Sequence, residues 1–237
     1  MTSPYGLEVE ESCVLCKLRQ ENFFCSLPVT SLQAFEKIKF SSALPRGGVL
    51  FVEGQTPRGI YMLCKGRVKL SVNSRDGKTL IIKIAEPGEV LGLHACVSGI
   101  PYELTAETIQ PCQVNFIKRD DFLKFLQEHG DACLNAAQHL SDNCHNAYDM
   151  IRSIGLSHSA SEKLARLLLE LISDAERTKE GFRAKVGLTH EEMAQIIGSS
   201  RETVTRLLAD FKKKKVATLK GSTLMVHDKP SLESLIG

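Results

Sequence analysis

The chain has 237 residues, 43% hydrophobic and 24% charged, and its 30 Lys or Arg against 28 Asp or Glu give a formal net charge of +2. That balance excludes a charge-swollen disordered chain, and no apolar run reaches the roughly 20 residues that cross a bilayer. The charge is uneven: Arg183 to Lys229 holds ten Lys or Arg against five Asp or Glu, a basic segment suited to phosphates on a slightly acidic remainder.

The opening MTSPYGLEVEESC has neither the basic start nor the apolar core of a secretory signal, so a cytoplasmic protein is expected. There the eight cysteines (Cys13, Cys16, Cys25, Cys64, Cys96, Cys112, Cys133 and Cys144) serve metal or thiol chemistry rather than a disulfide framework. Residues 1–27 read as a Cys-bearing arm. Residues 28–39 read as a short helix with Leu32, Phe35 and Ile38 on one face. From about Ala43 to Ile117, short β-branched runs are punctuated by Gly54, Gly66, Gly77, Gly88 and Gly92. Glycine takes the positive φ of a tight turn, so this texture predicts an antiparallel roll or barrel.

Helical character returns near Asp120. Between about Gly130 and Ile154, Leu134, Ala137, Leu140, Cys144, Ala147, Ile151 and Ile154 recur in steps of three and four. That narrow stripe reads as the seam of a dimer, the alternative being a helix packed on its own roll. GLSHSAS, residues 155–161, reads as a hinge, with a domain boundary near 157. An amphipathic helix with Leu164, Leu167, Leu168 and Leu171 follows.

The most informative stretch is LTHEEMAQIIGSSRETVTRLLADFKKKKVATLKGSTLMVHD. Thr189 and Glu192 form a capping box, which starts a helix with Met193, Ile196 and Ile197 inward. Gly198 ends it, and Ser200 caps a second helix with Thr203 and Val204 in its first turns. Val204, Leu207, Leu208 and Phe211 make its buried face. The opposite face displays Arg201, Glu202, Thr205 and Arg206, the place where a recognition helix meets base edges. Arg forks onto guanine O6 and N7, and Glu accepts from cytosine N4. Thr189 and His190 join Ser200 and Thr203 as DNA-facing candidates at the two helix starts. Lys212 to Lys215 reach toward the backbone, and VATLKGSTLMVHD reads as a two-stranded wing turning at Lys220-Gly221. No nucleophile elbow, P-loop or dinucleotide fingerprint is present, so no enzyme is expected.

SSRETVTRLL is very similar to the recognition helix of the CRP/FNR family, and the glycine-punctuated strands resemble that family's cyclic-nucleotide-binding-type β-roll. The resemblance covers about 200 residues. It implies an α+β fold: an arm over 1–27, a β-roll sensor over 28–129, a long dimerisation helix and hinge over 130–157, and a winged helix-turn-helix over 158–237. It further implies a homodimer on palindromic double-stranded DNA, regulation through RNA polymerase, and no membrane. Arg201, Glu202 and Arg206 match the base-reading positions, and the Arg-Glu-x-x-x-Arg pattern resembles the CRP type with TGTGA-like half-sites. Thr205 beside Arg206 leaves room for FNR-like reading.

Cyclic-nucleotide binding in the family resembles a Gly-Glu-Leu then Arg-Ser phosphate cassette. Here the matching VLGLHACVSGIPYELTAETIQ holds no Arg, so no cyclic AMP is expected. FNR-like oxygen sensors resemble the cysteine pattern instead: three N-terminal cysteines and one from the roll hold a [4Fe-4S] cluster. That implies Cys13, Cys16, Cys25 and Cys112 as ligands, with a longer last gap in the arm than the best-known members have. Four thiolates equally suit structural zinc, and a thiol switch or a small-molecule effector in the roll are the further alternatives. Cys64, Cys96, Cys133 and Cys144 read as packing or helix-face residues. His94, His139, His145 and His158 read as surface or packing residues rather than haem ligands.

Overall fold

The computed structural model describes residues 4–20, 24–156, 159–173 and 175–236, and only the backbone at 4, 20, 149 and 153–156. Contacts divide the chain into two compact units, Met1–Asn146 and Ala147–Gly237. This division falls inside a helix, before the boundary expected near 157.

In the first unit, α1 (Val29–Ile38) buries Leu32 and Phe35. The strands β1 (Lys39–Leu44), β2 (Val49–Phe51), β3 (Gly59–Lys65), β4 (Val68–Asn73), β5 (Thr79–Ala85) and β6 (Val90–Leu91) follow. A short α2 (Leu93–Ser98) precedes β7 (Thr105–Thr108) and β8 (Cys112–Lys118), then α3 (Arg119–Glu128) and α4 (Gly130–Leu156). Two antiparallel sheets result, in the orders β1-β8-β3-β6 and β2-β7-β4-β5. The roll is therefore present, and it opens at Lys39, earlier than the expected Ala43. All five punctuating glycines adopt positive φ. At Gly66 (φ +92°) the demand is steric as well, because a Cβ would stand 2.5 Å from both the Cys112 Sγ and the Pro111 carbonyl oxygen.

Two apolar cores flank the first sheet. The inner one lies between the sheets and gathers Phe51, Leu63, Val68, Tyr102, Ala106, Cys112 and Val114. The outer one joins Ile60, Met62 and Ile117 to Phe24, Leu32 and Phe35, to Phe122 and Phe125 of α3, and to Ala132 and Ala136 of α4. Successive strand side chains point to opposite faces, so β3 gives Ile60 and Met62 to the outer core and Leu63 to the inner one.

Ala132, Ala136 and His139 form the inward face of α4. Of the predicted seam, Leu134 (60% exposed), Ala137, Cys144, Ala147 and Ile151 (66%) lie on the exposed face, and Leu140 is half-buried. The Ile154 side chain lies outside the described residues. Helix α4 runs on through Gly155 and Leu156, so the expected hinge is shorter than GLSHSAS, and residues 157 and 158 of it lie outside the described residues.

In the second unit, α5 (Ala160–Glu170) opens on Ser159, whose hydroxyl accepts from the Glu162 amide at 3.1 Å. It buries Leu164, Ala165, Leu167 and Leu168. The hairpin β9 (Glu176–Thr178) and β10 (Gly181–Lys185) follows, then α6 (His190–Ile197), α7 (Arg201–Lys213), β11 (Ala217–Lys220), β12 (Thr223–Val226) and α8 (Lys229–Glu233). The two-stranded wing is present, and it belongs to a four-stranded sheet of order β11-β12-β10-β9.

Candidate nucleic-acid interface and sensory site

Helix α6 starts as its sequence dictates. The Thr189 hydroxyl accepts from the Glu192 amide at 3.1 Å, while the Glu192 carboxylate accepts from the Thr189 amide at 2.6 Å, so two orphan donors are satisfied reciprocally. Met193 and Ile197 are buried and Ile196 is half-buried. Gly198, at φ 63° and ψ 44°, closes the helix in the left-handed conformation. The chain then enters α7, where the Ser200 hydroxyl accepts from the Thr203 amide at 3.2 Å.

One face of α7 is anchored by buried Val204, Leu208 and Phe211, with Leu207 half-buried. Each full burial stabilises by about 1.5–3 kcal/mol, so the orientation of the other face is firmly set. That other face carries exposed Arg201, Glu202, Thr205 and Arg206. At a rise of 1.5 Å per residue, Arg201 and Arg206 are separated along the axis by about 7.5 Å, roughly two base-pair steps. The Thr205 hydroxyl and His190 Nδ1 are 3.0 Å apart, which ties the start of α6 to the exposed face of α7. Thr189 and Ser200 are exposed and Thr203 is half-buried beside them. Lys212 to Lys215 are exposed at the far end, where Lys214 also bridges Asp210 at 3.0 Å.

In the region matching the phosphate cassette, Glu103 is paired with His94 across the start of α2. Tyr102 fills the space beside Gly92: its ring stacks on Phe51 at 4.1 Å and its hydroxyl donates to the Gly59 carbonyl at 2.7 Å. A Cβ on Gly92 would meet that ring at 2.7 Å. The start of α2 thus carries the Glu103 carboxylate and the Tyr102 ring, while the Arg119 guanidinium lies at its other end, donating to the Cys96 carbonyl at 2.8 Å.

The cysteine arm is docked on the outer face of the first sheet. The Gln113 carboxamide accepts from the Glu10 amide at 2.8 Å and donates to the Glu10 carbonyl at 2.7 Å. Glu36 of α1 accepts from the Ser12 hydroxyl at 2.9 Å and from the amides of Cys13 and Val14. Lys39 Nζ lies 3.6 Å from Cys13 Sγ. Cys13 and Cys25 both pack against the outer core.

Cys112 is elsewhere. It is fully buried in the inner core, and its thiol donates to the carbonyls of Arg67 and Gln110 at 3.3 and 3.2 Å. Strand alternation is the reason: Cys112 and Val114 face inward, so Gln113 and Asn115 face the arm. The expected ligand set of Cys13, Cys16, Cys25 and Cys112 is therefore not brought together.

Cys64 stands on the arm side instead, packed against the outer core. Burial pushes its thiol up to about 12, and the charges of Cys13, Cys25 and Cys16 push the same way. Cys25 also rises to about 12, from burial and then from Cys16 and Cys13. Cys112 rises to about 11 from burial, opposed by backbone hydrogen bonding at Arg67 and Gln110. Residue spacing does not reveal Cys64; its parity with Ile60 and Met62 on β3 does. Among the described residues no three His, Cys, Asp or Glu side chains form a ready-made metal cage, and no helix is long and apolar enough to cross a membrane.

Comparison with known proteins agrees with both units. A cyclic nucleotide-binding domain matches residues 42–129, and a Crp-like helix-turn-helix domain matches residues 162–235. The CRP-like cAMP-activated global transcriptional regulator of Mycobacterium tuberculosis is 27% identical over 223 residues, covering 91% of this chain and 96% of that one. The anaerobic regulatory protein of Bacillus subtilis is 24% identical over 200 residues, covering 83% of each. Among solved structures, the c-di-GMP-responsive global regulator CLP of Xanthomonas campestris shares the fold, with a TM-score of 0.75 at 17% identity over 84% of this chain and 99% of that one. With a nucleotide-binding-type roll ahead of a capped, basic-faced helix-turn-helix, the chain belongs to the CRP/FNR family of DNA-binding transcription regulators, which are not enzymes.

Proposed function

We propose that the protein works as a homodimer that reads a two-fold-symmetric duplex with α7, one helix per half-site, and regulates transcription by contacting RNA polymerase from that site. The observation that carries this reading is the α7 face of Arg201, Glu202, Thr205 and Arg206, held outward by the burial of Val204, Leu208 and Phe211. Arg201 and Arg206 take guanines and Glu202 takes a cytosine, as a TGTGA-like half-site offers. Thr189, His190, Ser200 and Thr203, at the starts of α6 and α7, position the helices on phosphates and on each other. The exposed apolar face of α4 is the seam with the second copy. A gel-shift titration tests the reading. A TGTGA palindrome should bind tighter than scrambled duplex by about 10³-fold or more, and equal affinity for both defeats it.

The signal is read at the cysteine arm. A cyclic phosphate does not suit the roll, because Glu103 and Tyr102 occupy the corner where a cation is needed. We propose a redox or oxygen signal, and the name of the Bacillus subtilis anaerobic regulatory protein is in keeping with it. A [4Fe-4S] cluster requires four thiolates. The arm supplies three, and Cys112 does not fit as the fourth while it faces the inner core. Zinc, a bare thiol switch and a small-molecule effector in the roll are distinguished from a cluster by the metal content of protein prepared without oxygen.

A further inference from the structure

We propose that Cys64 is the fourth member of the arm site: Cys13, Cys16, Cys25 and Cys64 together hold a thiophilic metal centre, either an iron–sulfur cluster or a single zinc ion. Four cysteine sulfurs are the donor set of both. The inference deepens the reading of the arm as sensor and is independent of DNA binding.

Four observations converge on Cys64. It lies on the outer face of the first sheet, where the arm is docked, and it packs against the same core as Cys13 and Cys25. It stands near enough to Cys13, Cys25 and Cys16 to feel the charge of each. It is the extra residue of a bulge: Leu63 pairs with Val114 and Lys65 with Gln113, which leaves Cys64 with no Cα partner on β8. A bulge re-aims the side chain it carries. Finally, Asn115, 1% exposed, is clamped by the Ser41 hydroxyl at 2.7 Å and donates its carboxamide N–H to the Cys64 sulfur at 3.1 Å. An oriented N–H aimed at sulfur is the outer-layer support that metal-bound thiolates use. Lys39 supplies positive charge to the same group, 3.6 Å from the Cys13 sulfur.

Among the described residues these sulfurs form no ready-made cage, so the proposed centre requires Cys13, Cys16 and Cys25 to shift toward Cys64. Cys13 and Cys16 lie outside helix and strand and Cys25 sits in the turn before α1, whereas Cys64 is fixed by β3. Binding replaces the mutual repulsion of buried sulfurs with attraction to a shared cation, and it releases protons.

The test compares metal content of full-length wild type, Cys64→Ser, Cys16→Ser and Cys112→Ser, purified with and without oxygen. Wild type and Cys112→Ser should carry the same load. That load is about four iron with sulfide and absorbance near 400 nm for a cluster, or about one zinc without colour. Cys64→Ser and Cys16→Ser should fall to under about a tenth of it. Should Cys64→Ser fail to fold, alkylation mapping of the wild type decides. Cys13, Cys16, Cys25 and Cys64 should be protected together and become reactive together after metal removal with EDTA and thiol reduction. Metal lost from Cys112→Ser but kept by Cys64→Ser overturns the assignment. So does a metal-free wild type under both conditions, or metal-dependent protection of Cys112 in place of Cys64.

Discussion

In the proposed reading, recognition turns on Arg201 and Arg206, which stand exposed on α7. Each good bidentate contact discriminates by about 1–3 kcal/mol. Either Arg→Ala change should therefore weaken the specific site by about 5- to 150-fold in a competition titration, while scrambled duplex is affected far less. Equal losses on both duplexes would reassign these guanidiniums to phosphates. His139 supplies a second prediction at this scale. Burial holds its folded pKa below the usual 6.5, Lys83 acts in the same direction, and Glu89 and Asp142 act against both. The unfolded chain then binds a proton that the folded chain refuses, so stability is full above pH 6.5 and declines as pH falls below it. The drop in Tm between pH 7.5 and 5.5 should be larger in wild type than in His139→Gln. An equal drop in both would remove His139 from the account. The cysteines show where residue-level reading stopped. Cys112 was legible as a roll-strand residue, but which face of that strand the arm covers depends on how α1 and α3 dock. That is a long-range outcome that spacing along the chain does not encode.

The helix-turn-helix was legible almost to the residue, because its signals are local: Thr189 with Glu192, Gly198, Ser200, and an apolar step of three and four. Replacing Thr189 with Ala removes one half of the capping box. It should cost about 1 kcal/mol, or roughly 4–8 °C in the Tm of a domain of this size, with the palindrome affinity restored at low temperature. An unchanged Tm would mean that α7 alone positions the face. The roll was legible through its glycines. Gly66→Ala should be among the most disruptive single changes, since the new methyl meets the Cys112 sulfur and the Pro111 carbonyl at 2.5 Å; a cost of about 1–3 kcal/mol is expected in chemical denaturation. The hairpin β9–β10 was missed for a physical reason. ERT and GFRAK are short and largely exposed, and β10 owes its place to pairing with β12, which comes late in the chain.

At the scale of the whole molecule, α4 carries apolar residues on two faces, one buried and one exposed. Ala132 and Ala136 belong to the chain's own core, while Leu134, Tyr148 and Ile151 are exposed in the single copy. Leu134→Asp with Ile151→Asp should yield a folded monomer by sedimentation. Its affinity for a single half-site should be intact, and its advantage on the palindrome lost. A double variant that stays dimeric at low concentration would place the seam elsewhere. Wild-type DNA affinity should fall by about 10³–10⁵ between 50 and 200 mM salt if six or more phosphates are contacted.

The way Gln113 grips Glu10 has a consequence for how the arm behaves. A side-chain amide imitates one peptide unit of a neighbouring strand, so the arm is fastened to β8 without being woven into the sheet. Undoing it sacrifices two hydrogen bonds at Gln113, those to Glu36, and those from Lys65 to Glu8 and Glu10 and from Lys39 to Glu11, each worth about 0.5–1.5 kcal/mol net, and leaves every rung between β3 and β8 intact. In deuterium exchange the amides of Glu10, Cys13 and Val14 should therefore open as one cheap local event, orders of magnitude sooner than that of Asn115. An arm fastened in this manner can unclasp while the sheet beneath it keeps its own pairing.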